Sequence, residues 1–115
     1  MKKLPMDLHS HSAFSFDGSH SVREMCAAAF QAGVEIYAVT DHCDVAGWEE
    51  YDLANTIRQS VAEILGCGKD YAGKMKILAG LELGEPLDRP ECTKEVLGDN
   101  HFDLVLGSIH NVKDR

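Results

Sequence analysis

The side chains that could hold a cation or move a proton are His9 and His11, Asp17, Asp41 and His42, Glu82, and His110. His9-Ser10-His11 has period-two spacing. In an extended chain both imidazoles then point to one side and can share a metal ion. Each neutral ring gives one nitrogen lone pair, while its other nitrogen donates to a nearby acceptor. Asp7 and Asp41 could supply such acceptors. Glu82 sits in an otherwise apolar run, where an unpaired carboxylate is costly. Its two oxygens can bridge two cations. A mixed histidine and carboxylate set suits zinc, iron or manganese alike.

Taken singly, each feature has a plainer reading. A lone H-x-H is common by chance. Thr40-Asp41-His42 could be a turn in which Asp41 caps. Glu82 could be an ion-paired strand residue, and His110 a satisfied core histidine. His20 and His101 fit surface or capping positions. A serine nucleophile is the weaker chemical alternative: Ser10, Ser12, Ser15 and Ser108 are available, but none lies in G-x-S-x-G. There is no Walker loop and no G-x-G-x-x-G.

The elements that must position these residues alternate. Leu4 to Leu8 reads as a first strand, with Pro5 confined to its beginning. Ser21-Val22-Arg23-Glu24 fits a capping box. Behind it Val22, Met25, Cys26, Ala29 and Phe30 mark an amphipathic helix that Gly33 ends. Val34 to Val39 reads as a second strand, with Thr40-Asp41-His42 following it. A second helix is expected over about Tyr51 to Leu65, stopped at Gly66-Cys67-Gly68. Met75 to Leu83 is a third strand, broken at Gly84-Glu85-Pro86. A short helix covers about Glu91 to Leu97, and Phe102 to Ile109 is a fourth strand ending at His110. The rhythm βαβαβαβ means an α/β fold with parallel strands and right-handed crossovers. It places every candidate at the C-terminal end of a strand, the edge where such sheets and barrels build sites.

The chain of 115 residues allows one domain. Its hydrophobic share of 44% is that of a globular protein, not a disordered one. A net charge of -8 argues against nucleic acid and against an anionic membrane surface. No apolar run reaches the length of a membrane span, and no apolar stretch follows Lys2-Lys3 as a signal peptide requires. The cysteines Cys26, Cys43, Cys67 and Cys92 show no Cys-x-x-Cys spacing. They read as reduced, buried residues of a cytoplasmic protein.

Asp7-Leu8-His9-Ser10-His11-Ser12, Phe16-Asp17-Gly18, Thr40-Asp41-His42, Gly80-Leu81-Glu82-Leu83-Gly84 and Gly107-Ser108-Ile109-His110 occur in that order. Together they resemble the successive motifs of the PHP (polymerase and histidinol phosphatase) superfamily, and most of all its histidinol-phosphatase branch. The resemblance runs from residue 6 to residue 112. It implies a distorted (β/α)7 barrel with two or three divalent metals, zinc, manganese or iron, at the strand ends. Carried over by motif, His9, His11 and Glu82 bind one metal. Glu82 bridges to a second, shared with His110, and Asp17 and His42 contribute to a third. The implied chemistry is hydrolysis of a small phosphomonoester, L-histidinol phosphate being the best match, by a metal-bound hydroxide.

The family's site is completed by a further histidine and an Asp-x-His on later strands, which this sequence does not contain. A barrel of about 250 residues spends about 31 on each βα unit. Residues 1–115 therefore read as a single partial domain of about four units, roughly half a barrel. Such a piece exposes a sheet edge and an inward face, so a homo-oligomer covering them is expected. Two other readings stand beside the phosphatase. One is a metal-binding or structural fragment without turnover. The other is a nuclease module of the polymerase-associated kind, which the acidic charge disfavours.

Overall fold

The computed structural model describes residues 6–15 and 17–108. Within them β1 (Met6–Asp7) is followed by α1 (Val22–Gln31), β2 (Ile36–Asp44), a 3-10 turn (Val45–Gly47), α2 (Leu53–Asp70), β3 (Lys76–Gly84), α3 (Pro90–Asp99) and β4 (Leu104–Ser108). The strands form one sheet in the order β1-β2-β3-β4, and every pairing is parallel. The expected α/β order of about four βα units is therefore the observed one. Each helix returns the chain to the next neighbouring strand.

The start of α1 is fixed as its sequence dictates. Ser21 Oγ accepts from the Glu24 N–H, and Glu24 Oε1 accepts from the Ser21 N–H, each at 3.1 Å. Val22, Cys26 and Ala29 are its buried face. Gly33 follows with a φ of 84°, a left-handed conformation that glycine adopts without penalty.

Two boundaries differ from the sequence-based expectation by more than two residues. The second strand does not stop at Val39. Every residue from Ile36 to Asp44 is in register with a residue of β3, from Lys76 to Gly84, so Asp41 and His42 lie within the strand. The second helix does not stop at Gly66-Cys67-Gly68 but runs to Asp70. Each interior glycine costs about 1 kcal/mol relative to alanine. Burial of Ile64 and Cys67 against Val22, Cys26 and Val39 outweighs this.

Strand alternation splits the sheet into two faces. Tyr37, Val39 and Ala79 pack with residues of α1 and α2 in one core cluster. Cys43, Leu81 and Leu83 pack with α2 and α3 in a second. Thr40, His42, Gly80 and Glu82 belong to the opposite face. That face is thinly covered toward β4, where Leu78, Leu104 and Leu106 are only half-buried. On the edge strand itself Val105 is 42% exposed.

All four cysteines are buried and free, as expected. Burial pushes the Cys26 and Cys43 thiols up to about 12. Among the described residues no helix is long and apolar enough to cross a membrane.

Candidate metal centre

The segment carrying the paired histidines is tied along β2. Thr40 N–H donates to the Ser10 carbonyl at 2.7 Å, and Ser10 Oγ donates to the Ala38 carbonyl at 2.8 Å. Further on, Asp41 fastens the loop from the other face of the strand. Its carboxylate is 1% exposed and takes the Ser12 N–H, the Ser12 Oγ–H at 2.7 Å, the Ser15 Oγ–H at 2.8 Å and the Ser60 Oγ–H at 2.6 Å. Ser15 Oγ in turn accepts from the His42 N–H at 2.9 Å. A buried carboxylate is tolerated when several donors satisfy it in this way. One side chain on β2 thus holds the 12–15 loop and α2 together.

This corrects one expectation and weakens another. Asp41 does not accept from an imidazole, because alternation along β2 turns it toward α2 while His42 turns to the opposite face. The hydroxyls of Ser10, Ser12 and Ser15 serve backbone and Asp41, not a histidine base. Ser60 is the partner that sequence reading missed. Its signal was a polar residue on the apolar stripe Ile57, Val61, Ile64 of α2. Asp7 accepts from the His9 backbone N–H at 3.3 Å.

Above this clamp three imidazoles and two carboxylates converge. His9 Nε2 and His11 Nε2 are 3.2 Å apart, and both contact Glu82 Oε1, the His11 contact at 3.3 Å. Glu82 Oε2 lies 2.9 Å from His42 Nδ1. Asp17 Oδ2 lies 3.2 Å from His11 Nδ1 and 3.1 Å from His42 Nε2. The His11 and His42 rings stand 4.1 Å apart. Ligand atoms of His9, His11 and Glu82 fall within 4.8 Å of one another, and so do those of His11, Asp17 and His42. His11 belongs to both groups.

The electrostatics favour ionised carboxylates. Burial raises the Glu82 carboxyl, but the His42 charge and the contacts from His9 and His11 outweigh it and hold the group below its usual range. Burial likewise opposes ionisation of Asp17, yet His11 and His42 leave it lowered. Nitrogen and oxygen donors converging around ionised carboxylates fit a divalent cation such as zinc, manganese or iron.

The structure therefore brings five of the sequence-derived residues together: His9, His11, Asp17, His42 and Glu82. His110 lies outside the described residues. His20 and His101 stay apart, exposed beside Ser19 and Asp103 respectively.

This arrangement has relatives. The chain is 31% identical over 114 residues to the histidinol-phosphatase of Lactococcus lactis subsp. lactis (strain IL1403), covering 99% of this chain and 41% of that protein. It is 32% identical over 106 residues to the DNA polymerase/3'-5' exonuclease PolX of Bacillus subtilis (strain 168), covering 91% of this chain and 18% of that one. The crystal structure of histidinol phosphate phosphatase from Lactococcus lactis subsp. lactis Il1403, complexed with zinc, L-histidinol and phosphate, superposes with a TM-score of 0.72 at 24% identity. That match covers 95% of this chain and 41% of the solved one, so the four strands and three helices correspond to part of a larger fold. The chain spans about two fifths of the length of the histidinol-phosphatase relative. The family model described as the PHP domain matches residues 7–115, and the chain belongs to that family.

Proposed function

We propose that this chain supplies the metal-binding part of a phosphoesterase that hydrolyses a small phosphomonoester of the histidinol-phosphate type. The observation that carries this reading is the pair of donor groups sharing His11: His9, His11 and Glu82 on one side, Asp17 and His42 on the other. The residues of each group come from different strands and loops, as sites at strand ends do. Zinc, manganese or iron bound there supplies charge neutralisation of phosphoryl oxygens and acidification of water.

The chain's own residues do the positioning. Glu82 spans from His9 and His11 at one oxygen to His42 at the other, which fixes the spacing between the groups. Asp17 orients the His11 and His42 rings through one shared oxygen. Asp41 and its serines hold the loop that carries His11 and Asp17 against β2. His110 is the additional ligand the family motif suggests for the Glu82 side.

The net charge of -8 supports a small substrate over a nucleic acid. The free, buried thiols support a reducing compartment such as the cytoplasm. We read residues 1–115 as one partial domain whose open half-barrel is covered by a second copy. Sedimentation equilibrium tests this, a concentration-independent monomer counting against it. The functional test is phosphate release from L-histidinol phosphate with added manganese or zinc, beside His9→Ala. Release that falls to background in His9→Ala supports the reading, and equal rates in both proteins overturn it.

A further inference from the structure

Cys26 on α1 and Cys67 on α2 face one another inside the first core cluster. Both are buried and free, and the two thiols share a weak hydrogen bond. Their opposition follows from how the helices run. Each connects neighbouring strands of one parallel sheet, so α1 and α2 point the same way. Phe30 and Tyr71, each four residues after a cysteine, bring their rings to 5.4 Å. Four residues make about one helical turn, so the ring pair and the thiol pair stack on the same two faces. Arg23 Nη1, on the turn before Cys26, reaches Asp70 Oδ2, on the turn after Cys67, at 2.8 Å.

An ion pair and a ring pair thus bracket the thiols and hold the two helices in register. The neighbouring side chains are small: Ala27, Ala28 and Ala29 on α1, Gly66 and Gly68 on α2. Such neighbours let two backbones close to the Cα separation of about 4.4–6.8 Å that a disulfide requires. A cavity of about 330 Å³ opens beside Cys67, lined also by Arg23, Asp70, Tyr71 and Lys74. It has room for a small oxidant.

We propose that Cys26 and Cys67 are a peroxide-responsive pair that closes to a reversible disulfide and staples α1 to α2. The chemistry balances with one hydrogen peroxide. The Cys67 sulfur attacks one peroxide oxygen, the O–O bond breaks, and the departing hydroxide leaves as water with the thiol proton. The sulfenic acid on Cys67 is then attacked by the Cys26 sulfur. The S–S bond forms, the S–O bond breaks, and the hydroxyl leaves as water with the Cys26 proton. Two thiols lose two electrons, and the peroxide is reduced to two waters. A small dithiol reverses the step by exchange. Burial slows the first attack, so the pair stays reduced at rest and answers sustained oxidant. It lies on the helix side of the sheet, opposite the face of His42 and Glu82, so its closure does not depend on the phosphoesterase reading.

The test is mass spectrometry of the native full chain after hydrogen peroxide, with remaining thiols alkylated in urea before digestion. The expected product has lost two hydrogens, links the Cys26 and Cys67 peptides, and leaves Cys43 and Cys92 alkylated. Dithiothreitol is expected to restore every thiol. The bridged chain is expected to melt about 10 °C above the reduced one, as closing a loop of this length implies. Cys67→Ala is expected not to bridge, and Cys43→Ala to bridge as wild type does. If either variant fails to fold, the linked peptides of wild type decide alone. A bridge between other cysteines, a bridge formed only in urea, oxygen added to sulfur without a bridge, no reaction, or a bridged chain that melts no higher each overturns the inference.

Discussion

His42 and Glu82 are register partners on adjacent parallel strands, and their side chains meet with Nδ1 of one 2.9 Å from Oε2 of the other. This cross-strand contact ties the Asp17 side of the site to the His9 side. The two donor groups are therefore neighbours that share His11 and differ in their carboxylates, Glu82 in one and Asp17 in the other. Glu82→Gln is expected to weaken zinc binding by about 10- to 100-fold or more, the scale seen even for residues that only support ligands. Asp17→Asn is expected to remove binding at the His11–His42 side while His9, His11 and Glu82 still take one ion. Zinc stoichiometry by elemental analysis, with affinity by competition against a chelator, reads both. Equal loss in the two variants would mean that the groups form one indivisible site.

The Asp41 clamp predicts a stability effect separate from metal binding. Asp41→Ala strands three serine hydroxyls and an amide in the interior. The loss is expected to be on the order of 3–5 kcal/mol. Ser60→Ala removes one donor from a carboxylate that keeps the others, so about 1–2 kcal/mol is expected. Urea unfolding of the metal-free protein measures both. Similar costs for the two variants would show that the network does not centre on Asp41.

Gly18 offers a test of loop geometry. A Cβ at this position would stand 1.8 Å from the Ser12 carbonyl oxygen and 3.2 Å from that of His11. Backbone cannot yield as a flexible side chain can. Gly18→Ala must therefore shift the loop that presents Asp17, and zinc at the His11–Asp17–His42 group is expected to fall. Gly66→Ala is the control, since a Cβ there meets nothing within 4 Å. At that helical position alanine is expected to stabilise by about 0.5–1 kcal/mol. Chelator competition and thermal melting of the two variants check the contrast.

The raised thiols set an alkaline limit. Cys26 and Cys43 titrate near 12 in the fold, against an ordinary value of 9.0. Between those values the unfolded chain releases protons that the native chain retains. Stability from this source is thus full below about pH 9 and falls as the pH rises toward 12. Melting temperatures of the metal-free protein across pH 8–11 should decline above pH 9, less steeply in Cys43→Ala. Iodoacetamide at pH 8 should label the native thiols far more slowly than those in urea. Rapid labelling of the native chain would contradict the burial.

Much of the fold was legible because local signals agreed with the packing. The Ser21–Glu24 capping box, the Val22, Cys26 and Ala29 positions of α1 and the presence of four strands each read correctly; Phe30, also on the expected stripe, is exposed, and Leu4, Pro5 and Ile109 of the expected strands lie outside the described residues. The misreadings have tertiary causes. Gly66 and Gly68 look like a stop, but Ile64 and Cys67 between and before them are anchored in the core. Val39 looks like a strand end because polar residues follow it, yet β3 continues to pair with them. The residues that converge, His9, His11, Asp17, His42 and Glu82, are those their motifs single out, while His110 lies outside the described residues. The role of Asp41 was not, since spacing alone does not say which face of β2 a residue takes.

The strands are neighbours in the same order in which they occur along the chain. During synthesis each new strand can therefore dock on the one just made, with no partner awaited from far downstream. His9, His11, Asp17, His42 and Glu82 all precede α3 and β4. A nascent chain emerging from the ribosome could thus capture its first ion as soon as β3 has docked.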